Sequence, residues 1–149
     1  MARKKLDELS KGGVYFKNAN YTTTTLLIVE PKSWYHDANN TFNGNPTPRD
    51  VAIADITVFR NADELKDGNP SEVLKGAQIT GAALVNVAKE AIGEVFFAGK
   101  VDKVQGKSGA PYWSWIDVTS LAHEEQGDAY LEAREAEVQA AVDDAPDFD

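Results

Sequence analysis

Apolar positions along the chain recur mostly at strand spacing. Tyr21 to Val29, YTTTTLLIV, is rich in β-branched residues and predicts a first long strand, which Pro31 either ends or places on an edge. Val51 to Arg60, VAIADITVFR, is apolar on both faces apart from Asp55, as expected of a central strand. Glu72 to Thr80 predicts a third strand. Between Gly81 and Ile92 the period changes: Leu84, Val87, Ala88 and Ala91 have helical spacing, and Gly93 supplies a stop. Phe97 to Thr119, FAGKVDKVQGKSGAPYWSWIDVT, predicts two further strands joined by a glycine-rich turn over Gly106 to Pro111. Ser120 is an N-cap candidate for a closing helix through Gln139, with Leu121, Tyr130, Leu131 and Val138 as its few apolar contacts.

The intervening segments are polar. Residues 1–20 predict a loose lysine-bearing arm, Asp37 to Asp50 a long loop, and Asn61 to Pro70 a turn region. The order is three strands, one helix, two strands and a terminal helix. It predicts a mainly β fold: a five-stranded OB-fold-like barrel over residues 21–119, with a helix between strands 3 and 4 and a C-terminal helix over 120–140. An acidic tail over 141–149 is expected to be disordered.

At 149 residues the chain has room for one domain with a modest core. Without cysteine it has no disulfide, thiolate metal site or cysteine nucleophile. The basic N-terminus has no apolar run behind it, and no run is long enough for a bilayer, so a cytoplasmic protein is expected. Charge changes the picture more. Residues 121–149 carry ten acids against Arg134, the whole net charge of −9, whereas residues 1–120 hold 14 bases and 14 acids. The body is therefore neutral and can carry a basic face, and the excess marks an interaction tail.

Two clusters combine aromatic rings with cations, the pairing that holds single-stranded nucleic acid by stacking bases and neutralising phosphates. One is the hairpin, with Lys100, Lys103 and Lys107 for phosphates and Tyr112 with Trp113 or Trp115 for bases. Adjacent strand residues point to opposite faces, so Tyr112 and Trp113 cannot both line one groove. The other cluster is Lys32, Trp34 and Tyr35, with Phe42 and Arg49 from the following loop. Taken singly, each aromatic fits core packing; the two clusters and the segregated tail carry the reading. Catalysis finds no support. His36 and His123 stand far apart outside any metal-ligand spacing, and neither a phosphate loop nor a nucleophile elbow is present, so no cofactor is expected.

The strand VAIADITVFR, the helix ITGAALVNVAKEAIG, the hairpin AGKVDKVQGKSGAPYWSWIDVT and the tail VDDAPDFD together resemble the phage-encoded single-stranded DNA-binding proteins. The resemblance implies an OB-fold, sequence-independent binding of single-stranded DNA in replication or recombination, and a location in the host cytoplasm. It also implies that the acidic tail, here Asp143, Asp144, Asp147, Phe148 and Asp149, recruits replication or recombination proteins and competes with DNA. In this chain Phe148 is penultimate, so the terminal carboxylate belongs to Asp149. Self-association stays open. The rival expectation is an acidic protein-interaction module, or an inhibitor whose carboxylates mimic DNA. A mimic would spread its acids over a folded surface, whereas here they collect in one helix and tail.

Overall fold

Leu26 to Val29 is four apolar residues in a row, and a strand apolar on both faces has to be covered on both sides. The computed structural model describes residues 14–107 and 109–143. It is mainly β: β1 (Val14–Tyr15), β2 (Leu26–Asp37), β3 (Thr41–Phe42), β4 (Asn45–Pro46), β5 (Arg49–Phe59), β6 (Glu72–Ile79), β7 (Phe96–Ala98), β8 (Lys100–Gln105) and β9 (Pro111–Ile116). A 3-10 helix (Asn18–Tyr21) and three α-helices accompany them, α1 (Ala62–Asp67), α2 (Ala82–Glu90) and α3 (Leu121–Asp143). No helix among the described residues is long and apolar enough to cross a membrane.

The main sheet has five strands in the order β1-β6-β5-β2-β7, antiparallel except for the parallel β1–β6 pair. One face packs Leu27, Val29, Ala54, Ile56, Val58 and Ile79 against Leu84, Val85 and Ala88 of α2. The other packs Leu26, Ile28 and Phe59 against Leu65 of α1 and Tyr130 and Leu131 of α3. Among the described residues the strand pairings do not close into a barrel. The expected fourth strand breaks at Gly99, whose N–H donates to the Ile116 carbonyl at 2.7 Å. Phe96–Ala98 stays on β2, while β8 and β9 form a separate hairpin whose Val101, Trp113 and Trp115 lie on the first-face core.

Several expected boundaries move for identifiable reasons. The first strand starts at Leu26, not Tyr21, because the threonines hydrogen-bond to backbone: Thr24 Oγ1 donates to the Gly99 carbonyl at 2.7 Å. It then runs through Pro31 to Asp37. Pro31 is tolerated because β7 reaches only Val29, so β2 is an edge there, and its register against β5 shifts between Pro31 and Ser33. Residues 14–20 of the expected loose arm are part of the fold, and residues 1–13 lie outside the described residues. Tyr15 pairs with Gln78, and Phe16 is buried, stacked on Tyr21 at 4.4 Å between ring centroids. Within the turn region 61–70, Asn61 Oδ1 accepts from the Glu64 N–H at 2.8 Å and Gly68 ends α1 in the left-handed region, which makes a short helix. The loop 37–50 contains the β3–β4 ribbon, turned by Asn43-Gly44, both at positive φ.

Ser120 caps α3 as expected, its Oγ accepting from the His123 N–H at 3.3 Å, and the helix runs on to Asp143. Its contacts differ from expectation: Leu121 and Val138 are exposed, and Gly127 is the buried residue. A Cβ at Gly127 would lie 2.8 Å from Leu26 Cδ2 and 3.0 Å from two ring carbons of Phe97. Only a residue without a side chain lets the helix approach β2 and β7 this closely. The Arg134–Glu30 ion pair at 2.7 Å fixes its second half. Replacing Gly127 with Leu should therefore lift α3 and destabilise the fold by about 1–3 kcal/mol. Thermal unfolding should show a midpoint lower by several degrees; an unchanged midpoint would show that the helix does not seat there.

Candidate nucleic-acid interface

β2 and β5 pair as far as Asp37 and Arg49, beyond the last β5–β6 partners, Ala52 and Ile79, so their ends and the β3–β4 ribbon extend past β6 as an arm. The aromatic residues on it are exposed: Trp34 by 44%, Tyr35 by 43% and, on the β3–β4 ribbon at its end, Phe42 by 68%. Successive residues of a strand alternate in face, and Trp34 and Tyr35 divide accordingly.

Trp34 lies on the α2 side. Lys89 of α2 places its ammonium 3.8 Å from the Trp34 ring centroid and 3.0 Å from Asp50 Oδ2. Asp50 also takes His36 Nδ1 on its other oxygen, at 2.8 Å. The result is a line of ring, ammonium, carboxylate and imidazole. The hydrogen bond from His36, with that from Lys89, holds the Asp50 carboxyl below the usual aspartate range.

Tyr35 lies on the opposite face, its hydroxyl 3.1 Å from Gln78 Oε1. Gln78 is the register partner of Tyr15, a second exposed tyrosine, on β1. Lys32 and Lys75 both approach Asp55 Oδ2, at 3.8 and 3.6 Å. Asp55 is positioned by a bulge: β5 and β6 slip register between Ala54 and Ile56, and the Gly76 N–H, at φ 65°, donates to Asp55 Oδ1 at 2.9 Å. This face thus carries Tyr35 and Tyr15 at Gln78, and Lys32 and Lys75 at Asp55, with Glu30 4.0 Å from Lys32. Arg49 is exposed at the start of β5.

The hairpin cluster divides. Register pairs Lys103 with Trp113 and Val101 with Trp115, and this is the face that packs on the core. Trp115 is structural: its Nε1 donates to the Leu84 carbonyl at 3.1 Å and its ring meets Phe96 edge-on at 5.3 Å. Trp113 is half-buried, with Lys103 Nζ 5.3 Å from its centroid. Tyr112, 47% exposed, occupies the outer face with Asp102 and Lys100, which approach to 3.6 Å. Lys107 is exposed in the turn. The three lysines therefore do not share one surface. Of the tail residues, Asp143 is helical and accepts from Gln139 Nε2 at 2.9 Å; Asp144, Asp147, Phe148 and Asp149 lie outside the described residues.

Sequence reading did not single out Tyr15, Asp50, Lys75, Gln78 or Lys89. Lys89 looks like an exposed helix lysine, and its 39-residue separation from Asp50 hides the contact. The Asn43-Gly44 dipeptide was a usable signal for the ribbon that projects Phe42. Among the described residues no group of three or more acids and histidines could hold a metal ion.

Because folding lowers the Asp50 pKa, its pairing contributes stability above the ordinary aspartate pKa and loses it as pH falls through the depressed value. A carbon-13 titration of the Asp50 carboxyl should move to a higher midpoint in the His36→Gln, Lys89→Gln double variant; an unmoved midpoint would show that neither partner holds it.

No protein-family model matches the chain, and no curated protein and no solved structure matches it either.

Proposed function

We propose that the protein binds single-stranded DNA without sequence preference, using the β2–β5 arm as its principal contact. The observation that carries this reading is the exposure of Trp34, Tyr35 and Phe42 on one projecting element beside Lys32, Lys75, Lys89 and Arg49. Exposed rings offer π-faces to any base, and the cations neutralise phosphates without reading sequence. Tyr112 with Lys100 on the outer hairpin face, and Lys103 and Lys107, extend the path. The local carboxylates set its strength. Asp50 and Asp55 already hold Lys89, Lys32 and Lys75, so a phosphate must compete for ammonium groups that have partners.

An OB-like reading of the fold accompanies this proposal. Its support is the antiparallel run β2–β5–β6, the helix α2 after the third of these strands, and the return of β7 to β2. The acidic C-terminus supplies the second half of the function, as a polyanion that competes with DNA and contacts replication or recombination proteins. No catalytic step is part of the reading.

Anisotropy of a labelled thymidine oligomer should report tight, salt-sensitive binding with little for the matching duplex. Phe42→Ala, and whichever of Trp34→Ala and Tyr35→Ala removes the ring on the face that the DNA follows, should weaken it by about 1–3 kcal/mol, whereas the ring on the other face of β2 should count little. Equal binding of the duplex, or three silent variants, would overturn the proposal.

The lysines and the tail are tested separately. Lys100, Lys103 and Lys107 changed together to Ala should flatten the salt dependence, by roughly one in slope for each phosphate left without its lysine. A chain ending at residue 140 should bind more tightly at low salt and differ little at high salt, where charge competition is screened. Unchanged affinity at low salt would separate the tail from DNA binding.

A further inference from the structure

β7 (Phe96–Ala98) stands at one end of the sheet order, and among the described residues its only strand partner is β2. No backbone hydrogen bond among the described residues reaches its outer side. An open edge presents N–H and C=O groups at strand spacing, a template for one more strand. Two grooves flank it, one on each face of the sheet, the first mainly apolar and the second of mixed lining. The first, about 380 Å³, is walled by Val87 and Ala91 beside α2, by Trp115 and by Phe96. The second, about 290 Å³, is walled by Val95, Phe97, Val118 and Leu131. Alternate side chains of an added strand would enter one groove and then the other. Val87, Ile92 and Val95 are exposed around this edge, so apolar surface is already present in water there.

Charge decides what fits. Glu90 and Asp117 line the first groove and Asp117, Glu124 and Asp128 the second, while no lysine, arginine or histidine lines either. None of these four acids makes an ion pair among the described residues. An acidic rim repels nucleic acid. It also repels a second copy, which would bring the same four carboxylates to the same place. Charges of one sign beside a short edge strand are the usual protection against self-pairing, and they select a partner of opposite sign.

The geometry points to the β7 edge as a docking site for an extended basic segment of another protein, added as a strand. Its centre carries aliphatic side chains, about as many as β7 has residues, and lysines or arginines flank them to reach Glu90, Asp117, Glu124 and Asp128. The site uses the β7 edge and not the rings of the β2–β5 arm, so it does not rest on the DNA-binding reading.

The probe is the peptide acetyl-KKVIVKK-amide, titrated into the full-length nitrogen-15-labelled protein. Amide shifts should centre on Val95 to Ala98 and on the groove walls. N-methylation of the three central peptide amides, which removes the donors a new strand needs, should weaken binding by about tenfold or more. The variant Glu90→Lys, Asp117→Lys, Glu124→Lys alters only side chains at the groove rims. It should keep its thermal midpoint, lose the basic peptide and gain affinity for acetyl-EEVIVEE-amide. Equal binding of the N-methylated peptide would reduce the effect to bulk attraction between a cation and an acidic protein, and would overturn the proposal. So would shifts confined to the outer face of α3, or a concentration-dependent dimer that Val95→Lys abolishes.

Discussion

The fold depends on burial of Leu26–Val29 from both sides. All four side chains are inaccessible to water, two against each core, so the strand holds in place the two layers that cover the sheet. The α2 layer is assembled by ordinary apolar packing with the hairpin tryptophan Trp115 wedged beside it. The α3 layer is unusual, because few apolar residues hold that helix. It sits on the sheet through Gly127, Tyr130 and Leu131 and through the Arg134–Glu30 pair, and its remaining surface is charged or exposed. Close approach at a glycine, rather than an apolar stripe, is what seats it.

That division of labour leaves the outer half of β2 free. Beyond Val29 no strand pairs with its far side, and residues Lys32–His36 are exposed. The same strand is thus core at one end and surface at the other. Rings and cations on the surface half are held by strand pairing and not by loops, which gives the proposed binding element a rigid backbone. The inner half of that same edge of β2 carries β7, whose surroundings are apolar and acidic. The two ends of the sheet system therefore present contrasting chemistry: aromatic and cationic along the arm, aliphatic and anionic at the β7 edge.

Electrostatics within the arm is locally balanced. Asp50 and Asp55 each gather two partners from different elements, His36 with Lys89 and Lys32 with Lys75. Exposed pairs of this kind contribute little stability. Their consequence is positional: they hold ammonium groups beside Trp34 and at Asp55, where a polyanion can exchange with a carboxylate.

The sequence by itself determined the mainly β class, the second and third strands to within two residues, the α2 helix, the Ser120 cap and the separation of acidic C-terminus from neutral body. These are local properties: periodicity, branching at Cβ, capping chemistry and charge counting. Tertiary structure decided the rest. Phe97 to Gln105 carries an uninterrupted strand pattern, yet the chain turns at Gly99, because Ile116 offers its carbonyl there and the hairpin gains more by laying Trp113 and Trp115 on the core than by extending the sheet. Trp115 and Trp34 are both aromatic residues in strands. One is half-buried and the other exposed because α2 and Phe16 pack on the first and nothing comparable covers the second. The Asp50–Lys89 and Asp55–Lys75 contacts join residues 39 and 20 positions apart, and pairing at that range is set by register and bulges, which no local pattern encodes.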